Sequence, residues 1–221
     1  MTSSENGELA VGKLQSAQVL PAGATRQDAT KWLRSCGVIA DAVQAGEMIP
    51  DFELVSAERV HVSLGNLLDL GPVVITFILG ACSPICRKSL RMLQGMLPAI
   101  QARHGALVGI SPDPPSRSQA VAEEDGLGFD LLTDDGHQLG RLFGLTYQPP
   151  EPVAVWLNLL GLGAPPEAIS SGLVLPATYV VDSNGIAACA FIDADPGQRA
   201  DPGAVLKCLS QMPRQPAGRL G

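Results

Sequence analysis

The sequence contains no run of about 18 uninterrupted apolar residues, so we expect no transmembrane helix. Basic residues followed by an apolar stretch are also missing near residue 1, so we expect no secretory signal. Positive charge is scarce, because 15 Lys and Arg stand against 22 Asp and Glu, and the formal net charge of -7 argues against nucleic acid or an anionic membrane as partner. Together these absences predict a soluble, cytoplasmic protein.

Metal-binding patterns are absent as well. No two of the three histidines have ligand spacing, and we expect all of them at the surface: His61, His104 and His137. Five cysteines are present, an odd number with scattered spacing, which is typical neither of a disulfide framework nor of a zinc site: Cys36, Cys82, Cys86, Cys189 and Cys208. We therefore expect no metal and no cofactor, and free thiols that are either buried or reactive.

What the sequence does contain is typical of a globular chain, with 46% hydrophobic and 17% charged residues. Periodicity and turn signals predict helices over 28–45, 83–102, 115–124, 137–143 and 202–212. They predict strands near 52–54, 60–62, 72–79, 106–110, 129–132, 178–181 and 186–192. Strands that alternate with helices, then a hairpin and a closing helix, predict an α/β fold with a mixed sheet flanked by helices.

One domain over residues 46–212 accommodates these elements. A flexible segment over 1–25 and an N-terminal helical extension over 26–45 are expected before it, and a flexible tail over 213–221 after it. Residues 148–174 form a Pro- and Gly-rich insertion around an apolar helix over 153–160 that contains Trp156.

The strongest chemical signal lies where the strand at 72–79 meets the next helix, in the segment Gly80-Ala-Cys-Ser-Pro-Ile-Cys86. Ser83 is a favourable N-cap and Pro84 suits the first helical position, so Cys86 falls in the third. We expect the Ser83 hydroxyl to accept from the Cys86 N–H. The first turn of a helix stabilises anions, which favours a thiolate there, whereas the alternative is an inert core thiol.

Three cations follow this cysteine directly: Arg87, Lys88 and Arg91. Cations in the first turn oppose the helix dipole, and pairing with a thiolate would explain them. The alternative is a solvated basic face.

The segment over 73–90 resembles the active-site stretch of the peroxiredoxins, the alkyl hydroperoxide reductase/thiol-specific antioxidant family, whose pattern is Pro-x-x-x-Thr/Ser-x-x-Cys. Ser83 matches the hydroxyl position and Cys86 the peroxidatic cysteine. The resemblance runs from about Gly46 to Leu209, and its later blocks are similar to a bacterial peroxiredoxin-like branch. The resemblance includes Gly46–Phe52 and Ile110–Pro112, and the two later blocks are Leu175–Asp182 and Asp193–Asp195 with Arg199 and Pro202.

The resemblance implies a thioredoxin-like fold of the peroxiredoxin type and a thiol-dependent peroxidase in antioxidant defence. Cys86 would attack hydrogen peroxide or an organic hydroperoxide and become a sulfenic acid, while Ser83 bonds the peroxide. A second thiol, for which Cys82 is the nearest candidate, would condense with the sulfenic acid, and thioredoxin or a small thiol would reduce the product. Pro84 and Pro176 would shape the active-site loop. A homodimer is left open.

The sequence departs from the family pattern at three positions. Leu79 replaces the opening proline, and Ser83 replaces the first cysteine of the branch's Cys-Pro-x-Cys. Pro176 stands where many members carry an arginine, and its likeness to the cis-proline of thioredoxin-like folds predicts a cis Leu175–Pro176 bond. Arg87 or Arg199 would then supply the missing cation as thiolate or peroxide stabiliser.

Two other functions remain as alternatives. The protein could exchange Cys86 with protein or glutathione thiols, as a thiol–disulfide oxidoreductase or redox sensor. It could also be a catalytically degenerate relative that keeps the fold as a binding module.

Overall fold

The structure is a computed structural model that describes residues 25–81, 83–151, 154, 172–195 and 198–213. Its helices are α1 Arg26–Ser35, α2 Val38–Asp41, α3 Leu64–Leu70, α4 Pro84–Gln101, α5 Pro115–Asp125, α6 Gln138–Leu142 and α7 Pro202–Gln211. Its strands are β1 Glu53–Ser56, β2 His61–Ser63, β3 Val73–Phe77, β4 Ala106–Ser111, β5 Asp130–Thr133, β6 Thr146–Tyr147, β7 Leu173–Val174, β8 Ala177–Val181 and β9 Ala187–Ile192.

Several expectations fall outside the described residues: the flexible segments predicted over 1–25 and 213–221 except for Thr25 and Pro213, most of the apolar helix over 153–160 with Trp156, and Cys82. None of the helices in the described part of the chain combines the length and the apolar content that crossing a membrane requires.

Seven strands form one mixed sheet in the order β2-β1-β5-β4-β3-β8-β9, and β6 pairs with β7 separately. Strands β3, β4 and β5 run parallel, whereas β8, β9, β1 and β2 join them through antiparallel pairs. The predicted α/β fold with a mixed sheet flanked by helices is therefore confirmed. Parallel neighbours bring the ends of β3 and β4 to the same edge of the sheet, which is where α4 begins.

The central strand β3 is buried along its whole length, as its run of β-branched residues predicts. Val74 packs on one face with apolar residues of α4 and α7. Phe77 packs on the other face, with ring centroids 4.9 Å from Phe143 and 6.3 Å from Tyr179. Because both faces are covered, the end of β3 is a fixed platform for the segment that follows it.

The N-terminal extension differs from the single helix that the sequence predicts over 28–45. Thr25 and Asp28 form a reciprocal capping box at the start of α1. The chain then breaks at Gly37, whose φ of 89° is left-handed, and α2 ends at Asp41, before the expected stop at Gly46. Apolar residues continue at helical spacing on both sides of Gly37, so periodicity does not reveal this break.

The extension packs against the segment that follows α6. The Trp32 and Tyr147 rings lie 6.0 Å apart, and the Val43 N–H donates to the Phe143 carbonyl at 3.0 Å. Gly144, with a φ of 68°, faces the Asp41 carbonyl so closely that a Cβ at this position would overlap it.

Helix α3 was not predicted, because its seven residues are too few to show a clear apolar period. The Ser63 hydroxyl begins it by accepting from the Asn66 N–H at 3.2 Å. Pro98 lies inside α4, and the helix continues to Gln101.

His137 is buried, which corrects its expected place at the surface, whereas His61 is exposed and pairs with Glu53 at 2.8 Å. The difference arises because Asp134 accepts from the Leu139 and Gly140 N–H groups, which folds the turn before α6 inward. Burial lowers the pKa of His137 below its usual 6.5.

This burial makes stability depend on pH. The unfolded chain takes up a proton at His137 near the usual pKa of 6.5, and the folded chain resists it, so stability present above that pH is lost as pH falls below it. We expect the urea midpoint of the wild type to decrease when the pH is lowered from about 7.5 to about 5.5. The midpoint of the His137→Gln variant should decrease less over the same pH range. His61→Gln removes an exposed histidine and should keep the wild-type slope. Equal slopes in all three proteins would contradict the assignment.

Candidate active site

The active-site segment begins where β3 ends. Phe77 pairs with Ala177 of β8, and the Ile78 N–H donates to the Ile110 carbonyl of β4 at 3.0 Å. The chain then turns, with the Ser83 N–H donating to the Gly80 carbonyl at 3.3 Å, and α4 starts at Pro84. The segment therefore lies at the carboxyl ends of two parallel strands.

Asp113 holds this segment from the end of β4. Its Oδ2 accepts from the Ala81 N–H at 2.6 Å and from the Ser111 hydroxyl at 3.1 Å, and its Oδ1 lies 3.2 Å from Arg117 Nη1. The side chain is buried, so these bonds fix the backbone two residues before Ser83. Sequence reasoning missed Asp113, although the signal was present in a carboxylate placed directly after a buried strand.

Cys86 occupies the third position of α4, as predicted, and its side chain is 0% exposed. Ser83 is the N-cap residue, but its hydroxyl makes no capping bond, so the expected bond to the Cys86 N–H is wrong. The Ser83 carbonyl closes the first turn instead, accepting from the Arg87 N–H at 2.8 Å. Among the described residues, the buried Ser83 Oγ has no hydrogen-bond partner.

Arg199 brings a cation to the buried sulfur. Its Nη2 lies 3.9 Å from Cys86 Sγ, and its Nη1 donates to the Gln198 carbonyl at 2.6 Å. The residue belongs to the loop that joins β9 to α7, far from Cys86 in sequence. The half-buried Arg199 side chain therefore places positive charge beside the buried sulfur.

Arg87, the other candidate cation, points to α5. Its Nε lies 2.8 Å from Asp125 Oδ2, and its Nη1 lies 2.9 Å from Glu124 Oε2. Arg91 Nε also approaches Asp125, at 3.1 Å. The hydrogen bond from Arg87 holds the pKa of the Asp125 carboxyl below its usual range. Arg87 and Arg91 thus form ion pairs that join α4 to α5, a role that was not predicted from the sequence.

Pro176 lies between β7 and β8, beside the active-site segment. The predicted cis bond before it is wrong, because the described residues contain no cis peptide. The trans form agrees with the extended run from β7 to β8, in which the Leu175 N–H donates to the Leu145 carbonyl at 2.8 Å. Pro176 and Arg199 both line a cleft of about 220 Å³, together with Thr178, Phe191, Asp193 and Ala204.

Two cysteines expected to be free are joined. Cys189 of β9 and Cys208 of α7 form a disulfide, so the expectation of free thiols is wrong for this pair. The two cysteines are 19 residues apart in sequence, and they meet because the β8–β9 hairpin and α7 pack together, which sequence spacing does not predict. Cys36 is half-buried, its Sγ lies 3.3 Å from the Leu33 carbonyl, and burial raises the pKa of its thiol.

The arrangement suits nucleophilic thiol chemistry. It combines a sulfur in the first turn of a helix, a guanidinium against it, and a buried hydroxyl three residues earlier. Within the described ranges, no three His, Cys, Asp or Glu side chains lie close enough together to hold a metal ion.

Comparison with known proteins gives a consistent result. The model of the AhpC/TSA family matches residues 45–188. The chain is 28% identical over 103 residues to peroxiredoxin Bcp of Escherichia coli, an alignment that covers 47% of this chain and 65% of the relative.

Solved structures of low sequence identity share the fold. Peroxidoxin BcpB of Mycobacterium tuberculosis is 22% identical, with a TM-score of 0.61 over 77% of this chain and 99% of its own. The bacterioferritin comigratory protein of Xanthomonas campestris, described in connection with alkyl peroxide reduction, is 17% identical, with a TM-score of 0.57 over 72% of this chain and 90% of its own. The fold is thus the thioredoxin-like fold of peroxiredoxins, and because the family model spans well over half of its residues, the chain belongs to the AhpC/TSA family.

Proposed function

We propose that the protein is a thiol-dependent peroxidase in which the Cys86 thiolate reduces hydrogen peroxide or an organic hydroperoxide, as part of antioxidant defence. The observation that carries this proposal is the 3.9 Å contact between Arg199 Nη2 and Cys86 Sγ in the first turn of α4. Full burial alone would also suit an inert core cysteine. A guanidinium in contact with the sulfur is not expected at an inert core cysteine. Its interaction with a neutral thiol would be too weak to offset the hydration that the guanidinium loses.

The chemistry follows from these groups. The Cys86 thiolate attacks one oxygen of the hydroperoxide, the O–O bond breaks, and the other oxygen leaves as an alcohol or water after taking a proton. The sulfur becomes a sulfenic acid. Arg199 stabilises the thiolate and the negative charge that develops on the leaving oxygen, and the Ser83 hydroxyl, which has no described partner, donates to the peroxide.

In this proposal, substrate approaches through the cleft that Arg199 lines, although Cys86 and Ser83 are not among the residues that line it. The apolar side chains of Phe191 and Ala204 on its wall suit the organic part of an alkyl hydroperoxide. Because Cys86 is fully covered, the reaction also requires a small movement of the first turn of α4 or of the Arg199 loop to expose the sulfur.

The cycle closes with a second thiol. Cys82 or an external small thiol condenses with the sulfenic acid, and thioredoxin or the small thiol then restores the Cys86 thiol. Cys189 and Cys208 already form a disulfide, which leaves them without a free thiol for this step.

The identity of the nucleophile is tested by single cysteine variants. We expect Cys86→Ser to abolish steady peroxide consumption with a thiol reductant, because it removes the attacking sulfur. Cys36→Ser, at a half-buried cysteine outside the site, is the matched control and should stay active. Activity retained in Cys82→Ser would indicate an external resolving thiol, and equal loss would indicate a Cys82–Cys86 couple. A Cys86 thiol that ignores peroxide would favour the binding-module alternative.

The role of Ser83 separates catalysis from stability. Its buried hydroxyl makes no described hydrogen bond, so Ser83→Ala removes no such bond and should leave the unfolding midpoint unchanged or slightly higher. The same variant should slow the reaction of Cys86 with peroxide by about tenfold or more, because the peroxide loses a donor. Stopped-flow kinetics and urea titration measure the two effects. Loss of stability without loss of rate would assign Ser83 a structural role.

The two arginines should behave in opposite ways. Arg199→Met should lower the second-order rate of Cys86 with peroxide by about tenfold to a hundredfold, with partial recovery in Arg199→Lys. Arg87→Met should change that rate by less than about threefold, but it should lower the urea midpoint of unfolding, because Asp125 loses its main partner. Rates from single turnovers and urea midpoints check both. A larger rate loss in Arg87→Met than in Arg199→Met would reverse the assignment.

A further inference from the structure

Asp113 follows β4 at the edge of the sheet where α4 begins, and its own backbone is tied to two paired strands. The Asp113 N–H donates to Ser111 Oγ of β4 at 3.2 Å, and Thr133 Oγ1 of β5 donates to the Asp113 carbonyl at 3.0 Å. The residue is 8% exposed. Because β4 and β5 are paired up to this point, the carboxylate projects from a base that has little freedom to move.

The carboxylate reaches the turn that joins β3 to α4. Its Oδ2 accepts from the Ala81 N–H at 2.6 Å, and a Cβ added to Gly80 would lie 3.5 Å from the same oxygen. Of the hydrogen bonds that the described residues of this turn, over 79–83, donate, the other is internal and runs from the Ser83 N–H to the Gly80 carbonyl at 3.3 Å. The bond to Asp113 therefore joins the turn to the end of β4.

Apolar packing also holds this turn, but it does not satisfy the Ala81 N–H. Ile78, Leu79 and Ala81 are all buried, and Ala81 is 0% exposed. Apolar contacts have no direction, so they tolerate a rotation of a peptide, whereas a buried N–H without an acceptor carries the cost of its lost hydration. Without the Asp113 carboxylate, the Gly80–Ala81 peptide would have to turn toward another acceptor or admit water.

A rotation of that peptide would be passed on to the reactive groups. Ser83 lies two residues after Ala81, and its carbonyl begins α4 by accepting from the Arg87 N–H at 2.8 Å. Cys86 lies in the first turn of this helix, with its Sγ 3.9 Å from Arg199 Nη2. A shift in the start of α4 therefore changes both the direction of the Ser83 hydroxyl and the place of the sulfur.

We propose that Asp113 is a positioning residue of the Cys86 site: by accepting the Ala81 N–H, its carboxylate keeps Ser83 and the Cys86 sulfur in the arrangement that reacts with peroxide. The inference rests on the proposed function for its kinetic consequence, whereas the hold on the turn can be measured without peroxide. The turn requires an acceptor at this place and does not require a negative charge. Arg117, whose Nη1 lies 3.2 Å from Asp113 Oδ1, balances that charge from the exposed side.

Three substitutions of Asp113 separate the acceptor from the charge. Asp113→Asn keeps an acceptor oxygen at the same distance from the backbone and removes the charge. Asp113→Glu keeps the charge but moves the carboxylate outward by one methylene, and Asp113→Ala removes both. The first readout is the second-order rate of Cys86 with hydrogen peroxide in single turnovers. We expect Asp113→Glu and Asp113→Ala to lower this rate by about tenfold or more, and Asp113→Asn to stay within about threefold of the wild type.

The second readout is the exchange of the Ala81 amide hydrogen, followed by NMR in the absence of peroxide. We expect this exchange to be faster than in the wild type by about tenfold or more in Asp113→Glu and Asp113→Ala, because the amide loses its acceptor. In Asp113→Asn it should change by less than about threefold. Exchange that is unchanged in all three variants would overturn the proposal.

Asp134 is the matched control, because it is a second buried carboxylate that follows a strand at this edge of the sheet and binds backbone N–H groups. It is 2% exposed, and its oxygens accept from the Leu139 and Gly140 N–H groups of α6, each at 2.9 Å. Asp134→Ala should lower the urea midpoint and speed the exchange of those two amides. The peroxide rate of Cys86 and the exchange of the Ala81 amide should stay within about threefold of the wild type.

The pattern across the variants decides the outcome. A rate that falls equally in Asp113→Asn and Asp113→Ala, with Asp113→Glu at the wild-type rate, would assign the effect to charge and overturn the proposal. A comparable loss of rate in Asp134→Ala would also overturn it, since the effect would then follow stability alone. If Asp113→Ala does not fold, Asp113→Asn and Asp113→Glu decide by the same comparison.

Failure of the proposed function would look different. A wild-type Cys86 that ignores peroxide would reject the peroxidase. The exchange of the Ala81 amide would still be faster in Asp113→Glu than in Asp113→Asn if Asp113 holds the turn. Equal exchange in those two variants would reject the hold as well.

Discussion

A positive charge held against a buried sulfur is the interaction on which the site depends. Half-burying the Arg199 guanidinium removes part of its hydration, and a thiolate at Cys86 would compensate for that loss. The contact requires two distant parts of the chain to be placed within ångströms of each other. The surrounding structure holds the segment that carries Cys86 in a fixed position.

On the cysteine side, the requirement is met by anchoring the segment between β3 and α4. A fully buried strand leads into it, and the Asp113 carboxylate binds the backbone N–H of Ala81. On the helix side, Arg87 and Arg91 bind Asp125 of α5 and keep their charge there. The first turn of α4 is therefore fixed by neighbours on both flanks, and the charges of Arg87 and Arg91 are paired with acidic residues of α5 and not with the sulfur.

Sequence reasoning located the fold and the cysteine because both depend on local patterns. Val73–Phe77 is an uninterrupted run rich in β-branched residues, which is typical of a buried strand. Ser83-Pro84 is a local helix-start signal, and it places Cys86 in the first turn independently of contacts with the rest of the protein. Patterns of this kind carry their meaning within a few residues.

The remainder depended on contacts between distant segments, which spacing does not encode. Arg87 and Arg199 were equal candidates from the sequence, and the acidic end of α5 decided between them. The Cys189–Cys208 bond and the burial of His137 likewise follow from how β9 meets α7 and how Asp134 turns the chain. The sequence did not reveal that the Ser83 hydroxyl makes no capping bond, because such a bond is frequent at this position but not necessary.

Gly144 shows how the N-terminal extension constrains the family module. Helices α1 and α2 precede the matched region, which begins at residue 45, yet the Asp41 carbonyl occupies the space where a side chain at 144 would stand. Residue 144, which lies in the region matched by the family model, therefore has no room for a side chain because the N-terminal extension packs against it. A chain that lost the extension would be released from that steric restriction but would keep the left-handed backbone, which still disfavours any residue with a Cβ. The extension therefore packs at a position whose backbone conformation by itself favours glycine.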